Sequence, residues 1–148
     1  MRWRLSPLFL ALLPVFASIQ PASADHKYSR YNPEADRHIR EMECAIGCIA
    51  KEYPKEILGI RPTNDQRVFN FASINLKHAV RRLRSAFDGG NYSKTAYEFN
   101  QLENRFKAAN RYRDRAKVSP SVRCHLDTTA RAIAAFKRLR SYQYGLED

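Results

Sequence analysis

No glycine-rich phosphate loop occurs in this chain. Its only adjacent glycines, Gly89-Gly90, follow Asp88 at the end of a periodic apolar stripe, where a turn accounts for them. There is no Cys-x-x-Cys-His, so covalent haem attachment has no basis in the sequence. Sustained alternation of apolar and polar residues is missing, which leaves no strand pattern to compete with helix. Neither an internal repeat nor a low-complexity segment is present. Past residue 24, no apolar run is long enough to cross a bilayer. Catalysis finds little support, because a nucleophile needs a base in reach and a group orienting that base. Cys124 and His125 are helix neighbours pointing about 100° apart. His38 and His78 fall on different helices without convergent carboxylates and read as surface or flank residues. No catalytic residue is assigned and no cofactor is expected.

Acidic residues are also scarce, 15 against 26 lysines and arginines. The chain opens Met1-Arg2-Trp3-Arg4, continues with an apolar run from Leu8 to Ala17, and then reads Ala22-Ser23-Ala24. A positive start, a short apolar stretch and small residues before a cleavage point are the form of a secretory signal peptide, residues 1–24, cut before Asp25. The remaining chain carries 24 basic and 15 acidic residues, net +9. Such a charge favours anionic partners. With an exported address, periplasmic or extracellular, these are anionic lipid, lipopolysaccharide, glycan or an acidic protein. Nucleic acid is disfavoured by the address.

Residues 25–31 are a polar, aromatic lead-in with no periodicity. Asn32-Pro33 then reads as a cap followed by proline at the first helical position. Ala35, Ile39, Met42, Ile46, Ile49 and Tyr53 follow at steps of four and three, an apolar seam that Pro54 should end. Ile57, Leu58 and Ile60 in the next connection are expected to fold over the core. Thr63 to Gln66 has the form of a capping box. A second helix places Phe69, Ala72, Leu76, Ala79, Leu83 and Ala86 on one stripe, widened by Val80 and Phe87. A third runs from Tyr92 through Phe99, Leu102 and Phe106 to Ala116. Ser119-Pro120 opens a fourth, with Val122, Leu126, Thr129, Ile133 and Phe136. The pattern predicts an all-α, up-down-up-down four-helix bundle over residues 32–144, with 145–148 a frayed tail.

Cys44 and Cys48 are four apart and share a helix face roughly 160–200° from the seam. Cysteine is seldom left on a solvated surface. That face is therefore expected to be covered, with Gly47 admitting a close neighbour, or else its thiols are engaged. In an oxidising compartment, three cysteines suggest one bridge and one free thiol. Cys48 lies roughly 7–8 Å from the end of the first helix and Cys124 roughly 6 Å from the start of the fourth. A Cys48–Cys124 disulfide, with Cys44 free, is the expectation, worth ~4 kcal/mol for its loop. The alternative is a thiol-based Cu or Zn site or redox protein using Cys44, Cys48, Cys124 and His125.

Basic residues gather at helix C-termini, where they complement the macrodipole. The second and fourth helices end at one end of the bundle. Arg81, Arg82, Arg84, Lys137, Arg138 and Arg140 are therefore expected to form an anion-binding patch. The leading functional expectation is a non-catalytic binding module for an anionic envelope component or acidic partner.

Overall fold

Each helix opens on a side chain that accepts from an otherwise unpaired N–H. Asn32 Oδ1 accepts from Ala35 N at 2.9 Å and starts α1, Pro33–Glu56. Thr63 and Gln66 exchange bonds in a complete capping box at the start of α2, Asn64–Asp88. Asn91 caps α3, Tyr92–Asn110, by accepting from Lys94 N at 2.9 Å. Ser119 Oγ accepts from Val122 N at 3.3 Å ahead of α4, Pro120–Tyr144. Gly90, at φ 68°, supplies the left-handed turn after α2.

The computed structural model describes residues 32–144, with side chains through Arg140. The signal peptide (1–24), the lead-in (25–31) and the tail (145–148) expected from sequence lie outside the described residues. Within them the protein is all-helical, four helices with no strand. α1 packs against α2 and α4, and α2 against α3. Neighbours run in opposite directions. Arg84, late in α2, meets Asp36, early in α1, while Tyr53, late in α1, meets Phe69, early in α2. All six α1 seam residues from Ala35 to Tyr53 are buried, as are Phe69, Leu76, Leu83, Phe99, Leu102, Val122, Leu126 and Phe136. The backbones of α3 and α4 approach less closely than the other neighbouring pairs. Long side chains close that seam: the rings of Phe99 and Phe136 lie 4.7 Å apart.

Several boundaries differ from the sequence expectation, each for a local reason. Pro54 does not end α1, which continues to Glu56. The missing N–H of Pro54 and the crowding of the preceding turn's carbonyl weaken a helix, but only Lys55 and Glu56 follow it before the end. α3 ends at Asn110, short of Ala116. Six more helical residues would have carried the chain about 9 Å onward. Instead the segment turns, with Lys117 left-handed at φ 50°, and returns Ala116 and Val118 to the core. Of the three apolar residues after α1, only Ile57 packs against the core. Leu58 and Ile60 remain 80% and 53% exposed, on either side of the left-handed Gly59. His38 is not a surface histidine. It is 7% exposed, with Nδ1 3.0 Å from Glu41 Oε2.

The turn after α3 is held by one buried polar bond. The Tyr53 hydroxyl donates to the Ala116 carbonyl at 3.2 Å. Burial, with a smaller contribution from Glu56, pushes the Tyr53 pKa up to about 12. Its folded value is above the unfolded one, so its contribution to stability is present below about pH 10 and is lost as pH rises through about 12. Tyr53→Phe should cost about 1 kcal/mol at neutral pH. In an ultraviolet titration it should remove a phenol that ionises near 12 in the folded protein.

Candidate functional site

The continuation of α1 past Pro54 completes a row of side chains on its flank: Cys44, Cys48, Glu52 and Glu56, each one turn from the next. α4 and the residue that caps it present Ser119, Ser121 and His125 to the same flank. Glu56 Oε2 accepts from the Ser119 N–H at 3.2 Å, and its Oε1 accepts from the Ser119 hydroxyl. One turn back, Glu52 Oε2 accepts from the Ser121 hydroxyl at 2.8 Å. The other oxygen, Oε1, lies 3.5 Å from His125 Nε2. The Cys48 sulfur completes the group. Cys48 Sγ, a Glu52 oxygen and a His125 ring nitrogen all lie within 4.8 Å of one another, and all three residues are half-buried. Burial first, and then Cys44 and the Glu52 carboxylate, push the Cys48 thiol above its ordinary value. At neutral pH it is a protonated thiol and not a prepared nucleophile.

The expected Cys48–Cys124 bridge is not formed in this structure, where all three cysteines are free thiols. The matching of depths along the helices holds, because Glu52 on α1 meets both Ser121 and His125 on α4. What differs is the direction around α4. His125 turns toward Cys48, and Cys124, about 100° away, is exposed. Of the four residues considered for a metal, Cys48 and His125 come together with Glu52, which the sequence reading did not include. Cys44 is exposed but close enough to Cys48 to influence its thiol. The back of α1 is not covered here. A Cβ built on Gly47 would meet nothing within 4 Å.

The six cations assigned to one patch are divided by the packing. α2 and α4 do not pack closely against each other. Arg84 faces α1, bound to Asp36, Glu43 and its own-helix neighbour Asp88. Arg82 faces α3, its Nε 3.1 Å from the buried carboxylate of Glu98. Lys137 and Arg140 reach α3 from the other side. Lys137 is 3.7 Å from Glu103, and Arg140 donates to Asn100 at 2.9 Å and lies over the Phe99 ring. Arg138 borders a shallow cleft with Glu34, His38, Ala135 and Leu139. Arg81 is exposed on the outside of α2. Four of the six therefore serve as ties between helices.

A different surface on α2 escaped the sequence reading. Phe71 and Ile74 are 68% and 40% exposed on the face away from the core. Exposed Arg67 precedes them by four and seven residues, and exposed His78 and Arg81 continue the row. The signal was present as a second run at steps of four, three, four and three, offset from the buried stripe.

The fold and these surfaces define a basic, all-helical protein with a mixed-donor cluster on one flank and an apolar-basic row on another. No family model, curated protein or solved structure matches the chain. No helix among the described residues is long and apolar enough to cross a membrane.

Proposed function

We propose that this chain is an exported, non-catalytic binding module that associates peripherally with a phosphate-bearing anionic lipid surface through the outer face of α2. The carrying observation is the pair Phe71 and Ile74, left in water between Arg67 on one side and His78 and Arg81 on the other. Scattered exposed apolar residues are ordinary, but here two large ones share a helix face with cations at both ends. A basic helical face with large apolar residues is suited to the headgroup–acyl boundary. A phenylalanine can stack on a sugar face, but an aliphatic side chain such as Ile74 gains more at an acyl boundary, so the pair favours lipid among the anionic partners. The signal-peptide form of residues 1–24 and the net +9 of the remaining chain support the envelope address and the sign of the partner.

Flotation with phosphatidylglycerol and phosphatidylcholine vesicles tests the reading. Binding is expected to the anionic vesicles and to weaken as salt rises, since exposed charges act over about 8–10 Å at ordinary ionic strength. Phe71→Ser with Ile74→Ser should weaken it about tenfold or more. Reversing Arg67 and Arg81 to glutamate should do the same, with the helical circular dichroism signal unchanged. Reversal of Arg111 and Arg115, exposed after α3, is the control. Equal losses in both reversals leave only diffuse charge, and equal binding to both lipids removes the anionic partner. Retention of acidic protein in place of vesicles redirects the assignment to a protein partner.

A further inference from the structure

We propose that Cys48, Glu52 and His125 form a three-ligand site for a divalent transition-metal ion of the zinc class on the α1–α4 flank. One sulfur, one oxygen and one nitrogen donor, contributed by two helices, converge within 4.8 Å. Around a tetrahedral zinc ion, donors at about 2.1 and 2.3 Å stand about 3.6 Å apart. The groups therefore need to close by about 1 Å, which side-chain rotation can supply without moving either helix. Cys48 and Glu52 are one turn apart on α1, so they share a face at fixed spacing. His125 reaches the same point from α4, and its Nε2 already lies 3.5 Å from Glu52 Oε1.

The surroundings prepare the donors. The Ser121 hydroxyl donates to Glu52 Oε2 at 2.8 Å, leaving Oε1 turned toward His125. Such outer contacts orient ligating carboxylates and histidines. A histidine–glutamate ion pair would by itself account for two of the three groups. It does not account for a half-buried thiol in the same place, and the thiol separates the candidate metals. Calcium and magnesium take oxygen donors. Copper(I) favours sets made chiefly of sulfur. A mixed sulfur, nitrogen and oxygen set suits zinc and its spectroscopic substitute, cobalt(II). Three protein donors leave a fourth position. The side chains of Glu52 and His125 are 37% and 27% exposed, so that position opens to solvent. This is the pattern of a site that keeps an exchangeable ligand, as distinct from a closed structural site with four protein ligands.

Cobalt(II) titration of the reduced full chain, followed by visible and near-ultraviolet absorption, tests the site. One equivalent should bind, producing a sulfur-to-cobalt charge-transfer band that zinc then abolishes. Cys48→Ser should remove the band, and His125→Ala should weaken binding by about 10–100-fold or more, the scale at which even outer contacts to a ligand act. Glu52→Gln should weaken it as well. Cys124→Ser should leave both band and affinity unchanged, and Cys44→Ser should leave the band in place. Zinc should also raise the thermal midpoint of the parent chain, and the rise should vanish in His125→Ala. The assignment is overturned if no band forms, if the band survives Cys48→Ser, or if it depends on Cys124. Binding unchanged by His125→Ala, in a variant with the parent's helical signal, overturns it equally.

Discussion

Phe99→Ala is expected to lower the unfolding free energy by about 3–5 kcal/mol, the range for truncating a buried phenylalanine. For a domain of this size that corresponds to a fall of about 10–20 °C in the thermal midpoint. The upper part of the range applies because of where the ring sits. Phe99 is fully buried, its ring 4.7 Å from that of Phe136, on the one seam where the helix backbones stand furthest apart. α3 and α4 are bridged there by side chains, so the cavity cannot close by a small approach of the backbones. The ring also lies 5.7 Å from the Arg140 guanidinium carbon, which loses its aromatic face in the variant. Urea denaturation at neutral pH measures the cost. Hydrogen exchange locates it: α3 amides should lose protection relative to those of α1 and α2. Phe99→Leu should recover most of the loss, because a large apolar side chain again spans the gap. A loss below about 1.5 kcal/mol, or protection lost evenly over all four helices, would show that the α3–α4 seam does not depend on this ring.

The difference between the seams explains how far the fold was legible in the sequence. Caps and apolar periodicity are local properties: Asn32 and Ser119 could be assigned from the proline that follows each, and Thr63 from Gln66 three residues on. The stripes of α1 and α2 could be assigned from their spacing. The end of α3 is not local. Ala116 continues the apolar spacing, but its position is decided by a turn at Lys117 and by a hydroxyl on Tyr53, far away in the chain. Leu58 and Ile60 fail for a similar reason, since apolar character does not itself pull a connection onto the core when a left-handed glycine lies between them.

The candidate metal cluster was half legible. Depth along a helix follows from counting residues, and the pairing of the end of α1 with the start of α4 was correct at that level. Azimuth does not follow from counting. One residue on α4 separates an exposed Cys124 from a His125 that faces Cys48. The cation cluster shows the same limit in another form. Helix ends were placed well enough to gather the cations, but Glu98 and Glu103 on α3, and Asp36 and Glu43 on α1, draw them apart. Four of the six charges tie helices together, and the outward row of Phe71, Ile74 and Arg81 was hidden because it matched no buried stripe.

The strongest of these ties carries the last expectation: Arg84→Met should cost about 2–4 kcal/mol at neutral pH and lose most of that effect in acid. The Arg84 side chain is 18% exposed, with Nη1 bonded to Asp36 and Nε 3.0 Å from Glu43 Oε2. Methionine can keep the stem packed, but it leaves two half-buried carboxylates without their shared cation, so the cost is chiefly electrostatic. The hydrogen bond from Arg84 is the largest cause holding the Asp36 carboxyl below its ordinary range, and Arg40 assists, while burial acts in the opposite direction. A folded value below the unfolded one means that the contribution is present above the unfolded value, near 3.9, and is lost as pH falls through the folded value. In the variant, Asp36 returns toward its ordinary range and has less to lose. The difference between parent and variant should therefore hold steady above about pH 5 and shrink below about pH 4. Glu103, kept low first by its hydrogen bond to Lys107 and also by Lys137, is untouched by the change. Both proteins should consequently retain a residual loss of stability in acid. Urea midpoints at pH 7, 5 and 3 decide the matter, with Asp36→Asn as the companion variant that removes the same titration from the other side. A gap between parent and Arg84→Met as wide at pH 3 as at pH 7 would mean that Arg84 acts through packing against Phe87, whose ring centre lies 5.9 Å from its guanidinium carbon, and not through the carboxylates of α1.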